Sequence, residues 1–163
     1  MARFGSDRAV MRSVFDRLID YEPRNDKEAP LTHGQSVHQL KESLRRDLEW
    51  LLNTRLVAFP PGERLREVNR SVYVYGLPDF TACSLSNPED QNKLIRHLQN
   101  ALKYFEPRLA KVRVVPVDAS APGTRTLRFR IEGLLLMDPA PEHISFDTVL
   151  QLSSGQYEVA NAR

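Results

Sequence analysis

The sequence predicts an α+β domain in which N-terminal helices pack on a C-terminal antiparallel sheet of about three main strands. Up to residue 105, apolar residues recur at the three- and four-residue spacing of amphipathic helices. Between residues 112 and 152 they alternate with polar residues, which is the pattern of strands with one buried face. Glu106-Pro107-Arg108 separates the two regions, because proline lacks a backbone donor and disfavours helical conformation in the residue before it.

The first predicted helix is short and amphipathic, with Ser6 as a possible N-cap and Pro23 at its end. Its apolar residues at helical spacing are Met11, Val14, Phe15, Leu18 and Ile19. Polar residues follow to Gln35 and are typical of a linker. The helix can fold back onto the core or act as a detachable arm for a partner's groove, and the sequence leaves both open. We expect an N-terminal helix and polar linker over residues 1–34 and the α+β domain over residues 35–163.

The second predicted helix begins at Ser36 as its N-cap. Its apolar stripe consists of Val37, Leu40, Leu44, Leu48, Leu51 and Leu52. The charged residues Arg45, Arg46, Asp47 and Glu49 lie mostly on the other face, which we interpret as a solvated surface. Trp50, at the edge of the stripe, is expected to pack rather than to stack on a ligand. A turn over residues 59–62 follows, and residues 71–75 have strand propensity in a short segment.

The third predicted helix has a well-formed start, with Asn87 as N-cap and Pro88 in the first helical position. Glu89 and Asp90 then face the positive end of the helix dipole. Its apolar stripe consists of Leu94, Ile95, Leu98, Ala101, Leu102 and Phe105. The helix is expected to end at Glu106-Pro107-Arg108.

Three strands are predicted after this stop. The first is marked by Val112, Val114 and Val117, the second by Leu127, Phe129, Ile131, Leu135 and Met137, and the third by Ile144, Phe146, Thr148, Leu150 and Leu152. Turn residues separate them at 121–124 and 138–141. The result is an antiparallel meander whose buried face is covered by the preceding helices.

Composition argues for a single soluble domain without a dominant polyanionic partner. The chain has 163 residues and a net charge of +2, although 27% of its residues are charged. A nucleic-acid or membrane-surface protein usually carries a larger basic excess. Cys83 is the only cysteine, which excludes an intramolecular disulfide and suits a reducing compartment. No apolar run is long enough to insert in a membrane, so we expect a cytoplasmic protein.

Residues that could carry chemistry do not assemble into a known pattern. The histidines His33, His38, His97 and His143 are scattered, Cys83 has no evident base, and no glycine motif for a phosphate is present. We therefore expect no metal, no cofactor, no small-molecule substrate and no enzymatic activity.

Two carboxylates with different environments would suffice for a glycoside hydrolase, but the candidates are poor. Arg108 favours the ionised form of Glu106, and Glu132 alternates with apolar neighbours and is expected to face solvent. A lysozyme-like peptidoglycan hydrolase remains the alternative. A nucleic-acid-binding strand is suggested by Arg125, Arg128 and Arg130, but Arg125 lies on the opposite face from the other two.

Several segments together resemble the TssE family, a subunit of the bacterial type VI secretion baseplate. They occur in the family's order and span about residues 10–152. The segments are 13–18 (SVFDRL), 47–55 (DLEWLLNTR), 73–80 (YVYGLPDF), 106–108 (EPR) and 146–148 (FDT). The fold of this family is also that of a small wedge protein of contractile phage-tail baseplates.

The resemblance implies a structural role. Family members contact the bundle formed by the TssF and TssG subunits, and they help to connect the baseplate to the first ring of the contractile sheath. The family's hallmark, Glu-Pro-Arg, is implicated in this docking and corresponds to Glu106, Pro107 and Arg108. The sheath contact is thought to use an exposed strand edge, and the sequence does not say which. Without the resemblance, a helix stop with two solvated charges is the favoured interpretation of these three residues.

Overall fold

The computed structural model describes residues 10, 13–19, 23–24, 31–57, 59, 61–62, 64–81, 87–117, 126–138 and 140–161. The helices are α1 (Val14–Leu18), α2 (His33–Asn53) and α3 (Pro88–Phe105), and two short 3₁₀ helices, Val68–Arg70 and Val72–Val74, lie between α2 and α3. The strands are β1 (Leu109–Pro116), β2 (Thr126–Leu135), β3 (Glu142–Gln151) and β4 (Gln156–Asn161). The predicted α+β fold, with helices before an antiparallel sheet, is confirmed.

The sheet has four strands in the order β1-β2-β3-β4, and neighbouring strands are antiparallel. The three predicted strands are present, and β4 is an addition that the sequence analysis missed. Gly155, with φ +69°, makes the tight turn that leads into β4. Tyr157 and Val159 then alternate with exposed residues and complete the buried face. With only two apolar positions, this alternation is too short to stand out in the sequence.

One face of the sheet packs against α2 and α3. The predicted apolar stripes of both helices supply their half of the core, with Leu44, Leu48, Leu98 and Leu102 essentially inaccessible to solvent. The sheet contributes Phe129, Ile131 and Phe146, each buried to a similar degree. Glu132 faces away from the helices and is exposed, as predicted.

A bulge interrupts β1, where Lys111 and Val112 stand opposite the single residue Gly133 of β2. Lys111 takes a left-handed conformation with φ +53°. A Cβ on Gly133 would lie 3.2 Å from the carbonyl oxygen of Ala110, so a side chain there would crowd the bulged strand.

The start of α2 differs from the prediction. Thr32, not Ser36, is the N-cap: its hydroxyl accepts from the Gln35 N–H, and the Gln35 side chain accepts from the Thr32 N–H at 3.0 Å. This reciprocal capping box starts the helix four residues earlier. Ser36 is buried inside the first turn, where its hydroxyl donates to the His33 carbonyl and accepts from the Val10 N–H at 2.9 Å.

The segment over residues 71–75 is also corrected, because it forms a 3₁₀ turn rather than a strand. The Ser71 hydroxyl accepts from the Tyr73 N–H, and the Tyr75 N–H donates to the Val72 carbonyl. These local bonds satisfy the main chain without a partner strand. Strand propensity therefore loses to a local turn.

Helix α1 lies against α2 with its apolar side chains turned outward. Ser13 is its N-cap, while the predicted cap Ser6 lies outside the described residues. Asp16 is the buried residue of the helix, whereas Val14, Phe15 and Leu18 are at least half exposed. Of the two predicted alternatives for this helix, the structure shows the first: α1 folds back and contacts α2 through Asp16. Among the described helices, none is long and apolar enough to cross a membrane.

Candidate functional site: an ion-pair chain at the α3–β1 junction

Glu106, Pro107 and Arg108 form the tight connection between α3 and β1. The Glu106 N–H donates to the Leu102 carbonyl at 2.9 Å and closes the helix, and the Leu109 N–H donates to the Glu106 carbonyl at 3.1 Å. Pro107 is exposed between these bonds, where the turn requires no N–H. The predicted helix stop is therefore in place, and it fixes both charged neighbours on a rigid turn.

The two charges of the junction meet each other. Arg108 Nε donates to Glu106 Oε1 and Arg108 Nη2 to Glu106 Oε2, each at 2.7 Å. The Arg108 backbone N–H also points at Oε1, at 3.3 Å. Glu106 is only 5% exposed, so its carboxylate depends on this two-pronged contact for its charge compensation.

Arg108 also ties the junction to α2. Its Nη2 atom lies 2.7 Å from Asp47 Oδ2, and its Nη1 atom lies 3.3 Å from the Ser43 hydroxyl. The hydrogen bonds and charge of Glu106, reinforced by Asp47, raise the pKa of Arg108 above its ordinary value and outweigh the opposing effect of burial. The guanidinium is a permanent cation shared between two carboxylates.

The contacts continue along α2 to α1. Asp47 Oδ1 accepts from Arg46 Nη2 at 3.0 Å, and the same nitrogen lies 2.8 Å from Asp16 Oδ1. We call the set Asp16–Arg46–Asp47–Arg108–Glu106 the ion-pair chain. It joins α1, α2 and the α3–β1 junction through alternating charges, with three carboxylates and two guanidinium groups.

The α1 end of the ion-pair chain has further support. Burial acts to raise the pKa of Asp16, but hydrogen bonds from Ser13 and Arg46 outweigh it and hold the pKa below its ordinary value. The Arg46 guanidinium also lies 5.1 Å from the ring centres of Phe15 and Trp50, which meet edge to face. Trp50 thus packs on a neighbour, as predicted, although half of it is exposed.

The interpretation of the α2 charges as a solvated surface is therefore wrong for Arg46 and Asp47. They are partly buried, and they pair with residues far away in sequence. Ser43 and Asp47 are one helical turn apart beside the apolar stripe, and this is the signal that could have placed them at the junction. Sequence reasoning found Glu106 and Arg108 but missed Asp47 and Ser43 as partners of Arg108, and it missed Asp16 as the partner of Arg46.

The described site has no arrangement suited to acid catalysis. Glu106 is buried and both of its carboxylate oxygens accept from Arg108, so this carboxyl group is not accessible to a substrate. Within the described ranges, no group of three His, Cys, Asp or Glu side chains could hold a metal ion. Cys83 and Arg125 lie outside these ranges. Arg130 pairs with Asp147 at 2.7 Å, so its charge is partly compensated within the sheet.

The two edges of the sheet differ. At β4, the Asn53 side chain of α2 bonds both the N–H and the C=O of Tyr157 at 2.9 Å, and Arg45 donates to the Val159 carbonyl at 3.3 Å. Helix α2 therefore occupies the main-chain groups of Tyr157 and the Val159 carbonyl, which a further strand would need. The β4 edge is closed to strand addition.

Within the described part of the chain, the β1 edge is open. The Val117 N–H donates to the Arg128 carbonyl of β2, so the alternation of an antiparallel pair turns the main chain of Val114 and Pro116 away from β2. Among the described residues, no group hydrogen-bonds this outward main chain. Pro116 has no N–H to leave unpaired there, which is typical of an edge strand.

Comparisons with known proteins find similarity to a baseplate family and to proteins named anti-adapters. Residues 38–140 match the family described as Baseplate wedge protein gp25. A protein named Anti-adapter protein IraD from Escherichia coli strain SMS-3-5 / SECEC is 30% identical over 125 residues, which cover 77% of this chain and 87% of the relative. Its namesake from strain K12 is 29% identical over 120 residues, covering 74% and 81%. A chain of the solved baseplate complex from the type VI secretion system overlays with a TM-score of 0.48 at 20% identity, covering 77% of this chain and 97% of that chain.

The family match spans more than half of the chain. It contains α3, the α3–β1 junction and β1, and every member of the ion-pair chain except Asp16. The match rests on sequence alone, and it agrees with the resemblance read from the ordered segments. The chain belongs to the baseplate wedge protein gp25 family, and the prediction of a structural, non-enzymatic baseplate protein is confirmed with it.

Proposed function

We propose that this chain is a cytoplasmic wedge component of a type VI secretion baseplate, which docks on the TssF–TssG bundle and links the baseplate to the first sheath ring. The observation that carries the proposal is the α3–β1 junction, which contains the Glu-Pro-Arg hallmark. Arg108 pairs there with Glu106 and with Asp47 of α2, so the junction is held against α2. Residues 35–163 are the docking domain in this proposal, and residues 1–34 are its N-terminal appendage.

The geometry specifies how the junction would dock. Glu106 is buried, Pro107 is exposed, and a quarter of the Arg108 side chain is accessible. The contact would therefore be made by Pro107 and the outer part of the guanidinium, while Glu106 and Asp47 hold that guanidinium in position. A carboxylate of the bundle would meet a preorganised cation, which limits the entropy lost on binding.

The sheath link is proposed at the open β1 edge. An incoming strand would pair with the outward main chain around Val114, and Pro116 would end the pairing because it offers no donor. The closed β4 edge makes that side the poorer candidate, since a strand there would first have to displace Asn53 and Arg45.

The wedge contact is tested with a variant that leaves the ion-pair chain intact. Pro107→Glu puts an anion on the exposed turn, and we expect it to weaken co-purification with the TssF–TssG complex by at least about tenfold through like-charge repulsion. Arg113→Glu, on the exposed face of β1, makes a larger change in net charge and is the control; it should bind as the unaltered chain does. Equal binding by Pro107→Glu and the control would reject this docking mode.

The sheath link is tested by amide exchange resolved at single residues. In the free protein, the Val114 amide should exchange much faster than the Val115 amide, which faces Arg130 of β2. Addition of sheath subunits should protect Val114 and leave Val115 unchanged. Protection of β4 amides instead, with Val114 still exchanging, would move the contact to the other edge.

An anti-adapter is the second candidate function, favoured by the two relatives of that name. Affinity capture from the native cell, with the captured proteins identified by mass spectrometry, separates the two. Baseplate and sheath subunits support the wedge role, whereas an adapter protein captured without them supports the anti-adapter role. Either result should depend on a folded chain, so a heat-unfolded sample is the control.

A further inference from the structure

The connection between α2 and α3 forms an apolar cleft beside a cationic hollow. The cleft, of about 160 Å³, lies between this connection and α3. Its apolar lining includes Leu56, Val74, Leu77, Pro78, Ala101 and Phe105. Asn69 and Tyr104 line both the cleft and a neighbouring hollow of about 430 Å³, which is completed by Arg66 and Arg70. We call the first the α2–α3 cleft and the second the arginine hollow.

The arginines of the hollow differ from those of the ion-pair chain. Arg46 and Arg108 each bind carboxylates of this chain. Arg66 and Arg70 are exposed, and their guanidinium groups form no ion pair with any carboxylate among the described residues. Two guanidinium groups that line one hollow and pair with no acid of the described residues are a ready site for an external carboxylate.

Several large apolar side chains of the same connection between α2 and α3 are exposed. Val72 is 86% exposed and Phe59 is similarly exposed, whereas about half of Leu65 and of Tyr73 is exposed. Local hydrogen bonds hold the surface in shape: the Tyr73 hydroxyl donates to the Phe59 carbonyl at 3.1 Å, and the Asn69 amide donates to the Leu65 carbonyl at 2.9 Å. Exposed apolar side chains that local hydrogen bonds hold in place are typical of an interaction surface.

We propose that the α2–α3 cleft and the arginine hollow together bind an acidic amphipathic segment of a partner protein. An apolar side chain of the segment enters the cleft, and an aspartate or glutamate beside it meets Arg66 and Arg70. Tyr104 stands between the two and can contact both parts. The charge of the hollow selects the acid, and the apolar cleft selects a protein segment over a nucleic acid, whose backbone would need a longer run of cations.

This surface is separate from the proposed wedge and sheath contacts. No member of the ion-pair chain lines the cleft or the hollow, and the β1 edge lies outside both. The inference therefore stands whether the junction docks on a wedge bundle or not, and its test uses neither baseplate nor sheath proteins.

Two labelled synthetic peptides serve as probes. One is a helix-forming peptide with leucine and glutamate one turn apart, and the other carries lysine in place of every glutamate. Fluorescence anisotropy with the full chain should show saturable binding of the acidic peptide alone. Replacing both arginines, Arg66→Glu with Arg70→Glu, should weaken that binding by at least about tenfold, because two attractive charges become repulsive.

A matched control makes the same change in net charge elsewhere. Arg113 and Arg128 are exposed on the outer face of the sheet, and the pair Arg113→Glu with Arg128→Glu should bind the acidic peptide much more tightly than the hollow variant does. Each variant's thermal midpoint should stay near that of the unaltered chain. Should the glutamate pair unfold, Arg66→Gln with Arg70→Gln provides the same test with a smaller loss.

Four results would overturn the proposal. They are no saturable binding of the acidic peptide, equal binding of the acidic and basic peptides, equal losses in the hollow and control variants, and displacement of the peptide by a single-stranded oligonucleotide of equal charge. Self-association in sedimentation that disappears in the hollow variant would assign the surface to a second copy of this chain instead.

Discussion

Replacing Arg108 with alanine is expected to destabilise the isolated protein, before any partner is involved. The substitution removes the two 2.7 Å contacts to Glu106 and the 2.7 Å contact to Asp47. Glu106 then keeps a charge at a position only 5% exposed, with no cation to compensate it. The junction and α2 also lose the side chain that joins them.

The size of the effect follows from burial. Removing one partner of a fully buried ion pair costs about 3–5 kcal/mol. A quarter of the Arg108 side chain is exposed, and water can enter the vacated space, so we expect a smaller loss of about 2–3 kcal/mol in the free energy of unfolding. For a chain of this length, that loss corresponds to a fall of roughly 4–12 °C in Tm.

The assay is urea unfolding followed by circular dichroism, with Arg113→Ala as control. Arg113 is exposed on the same strand, and its loss should change the free energy of unfolding by less than about 0.5 kcal/mol. Adding Glu106→Gln to Arg108→Ala removes the uncompensated charge, so the double variant should lose less than the sum of the two single losses.

A result within about 0.5 kcal/mol of the unaltered protein for Arg108→Ala would refute this reasoning. It would mean that the contacts of Arg108 contribute nothing to folding and that its charge is free for a partner. If the reasoning holds, loss of baseplate incorporation in Arg108 variants partly reports unfolding. Pro107→Glu is then the cleaner probe of docking.

Three further predictions concern stability. The folded pKa of Asp16 lies below its ordinary value, so its charge stabilises the fold above about pH 4, and this contribution is lost as the pH falls further. The urea midpoints of the parent protein and Asp16→Asn should therefore differ at pH 7 and converge below about pH 4. A difference that stays constant with pH would contradict the assignment. Lys111→Gly should raise the free energy of unfolding by up to about 1 kcal/mol, since glycine tolerates φ +53°, and a loss would show that the bulge does not strain lysine. Gly76→Ala should cost more than about 3 kcal/mol, because its φ is +111° and a Cβ would lie 2.3 Å from the Thr54 carbonyl oxygen; a near-native urea midpoint would contradict that crowding.

Much of the fold could be predicted from local sequence patterns. The leucines of α2 and α3 repeat at helical spacing and are buried as expected, because one face of each helix must be covered wherever it packs. Asn87 and Pro88 start α3 as predicted, since capping depends on adjacent residues alone. The alternation in β2 placed Phe129 and Ile131 in the core for the same local reason.

Local pattern failed where two local solutions compete. Thr32 and Ser36 are both good caps, and the reciprocal bond of Gln35 decides for Thr32. Residues 71–75 have strand propensity but no neighbouring strand, so the bonds of Ser71 turn them into a 3₁₀ helix. In β4, two apolar residues are too few for a pattern, and the strand is defined by its pairing with β3.

The sequence by itself determined the order of helices and strands, the boundary at Pro107 and the presence of two opposite charges beside it. Only the tertiary structure decided what those charges meet. Asp47 is 61 positions from Arg108, and Asp16 is 30 positions from Arg46. Which of many acids meets which arginine depends on how α1 and α3 lie against α2, because charges compensate each other at contact distance whatever their separation along the chain.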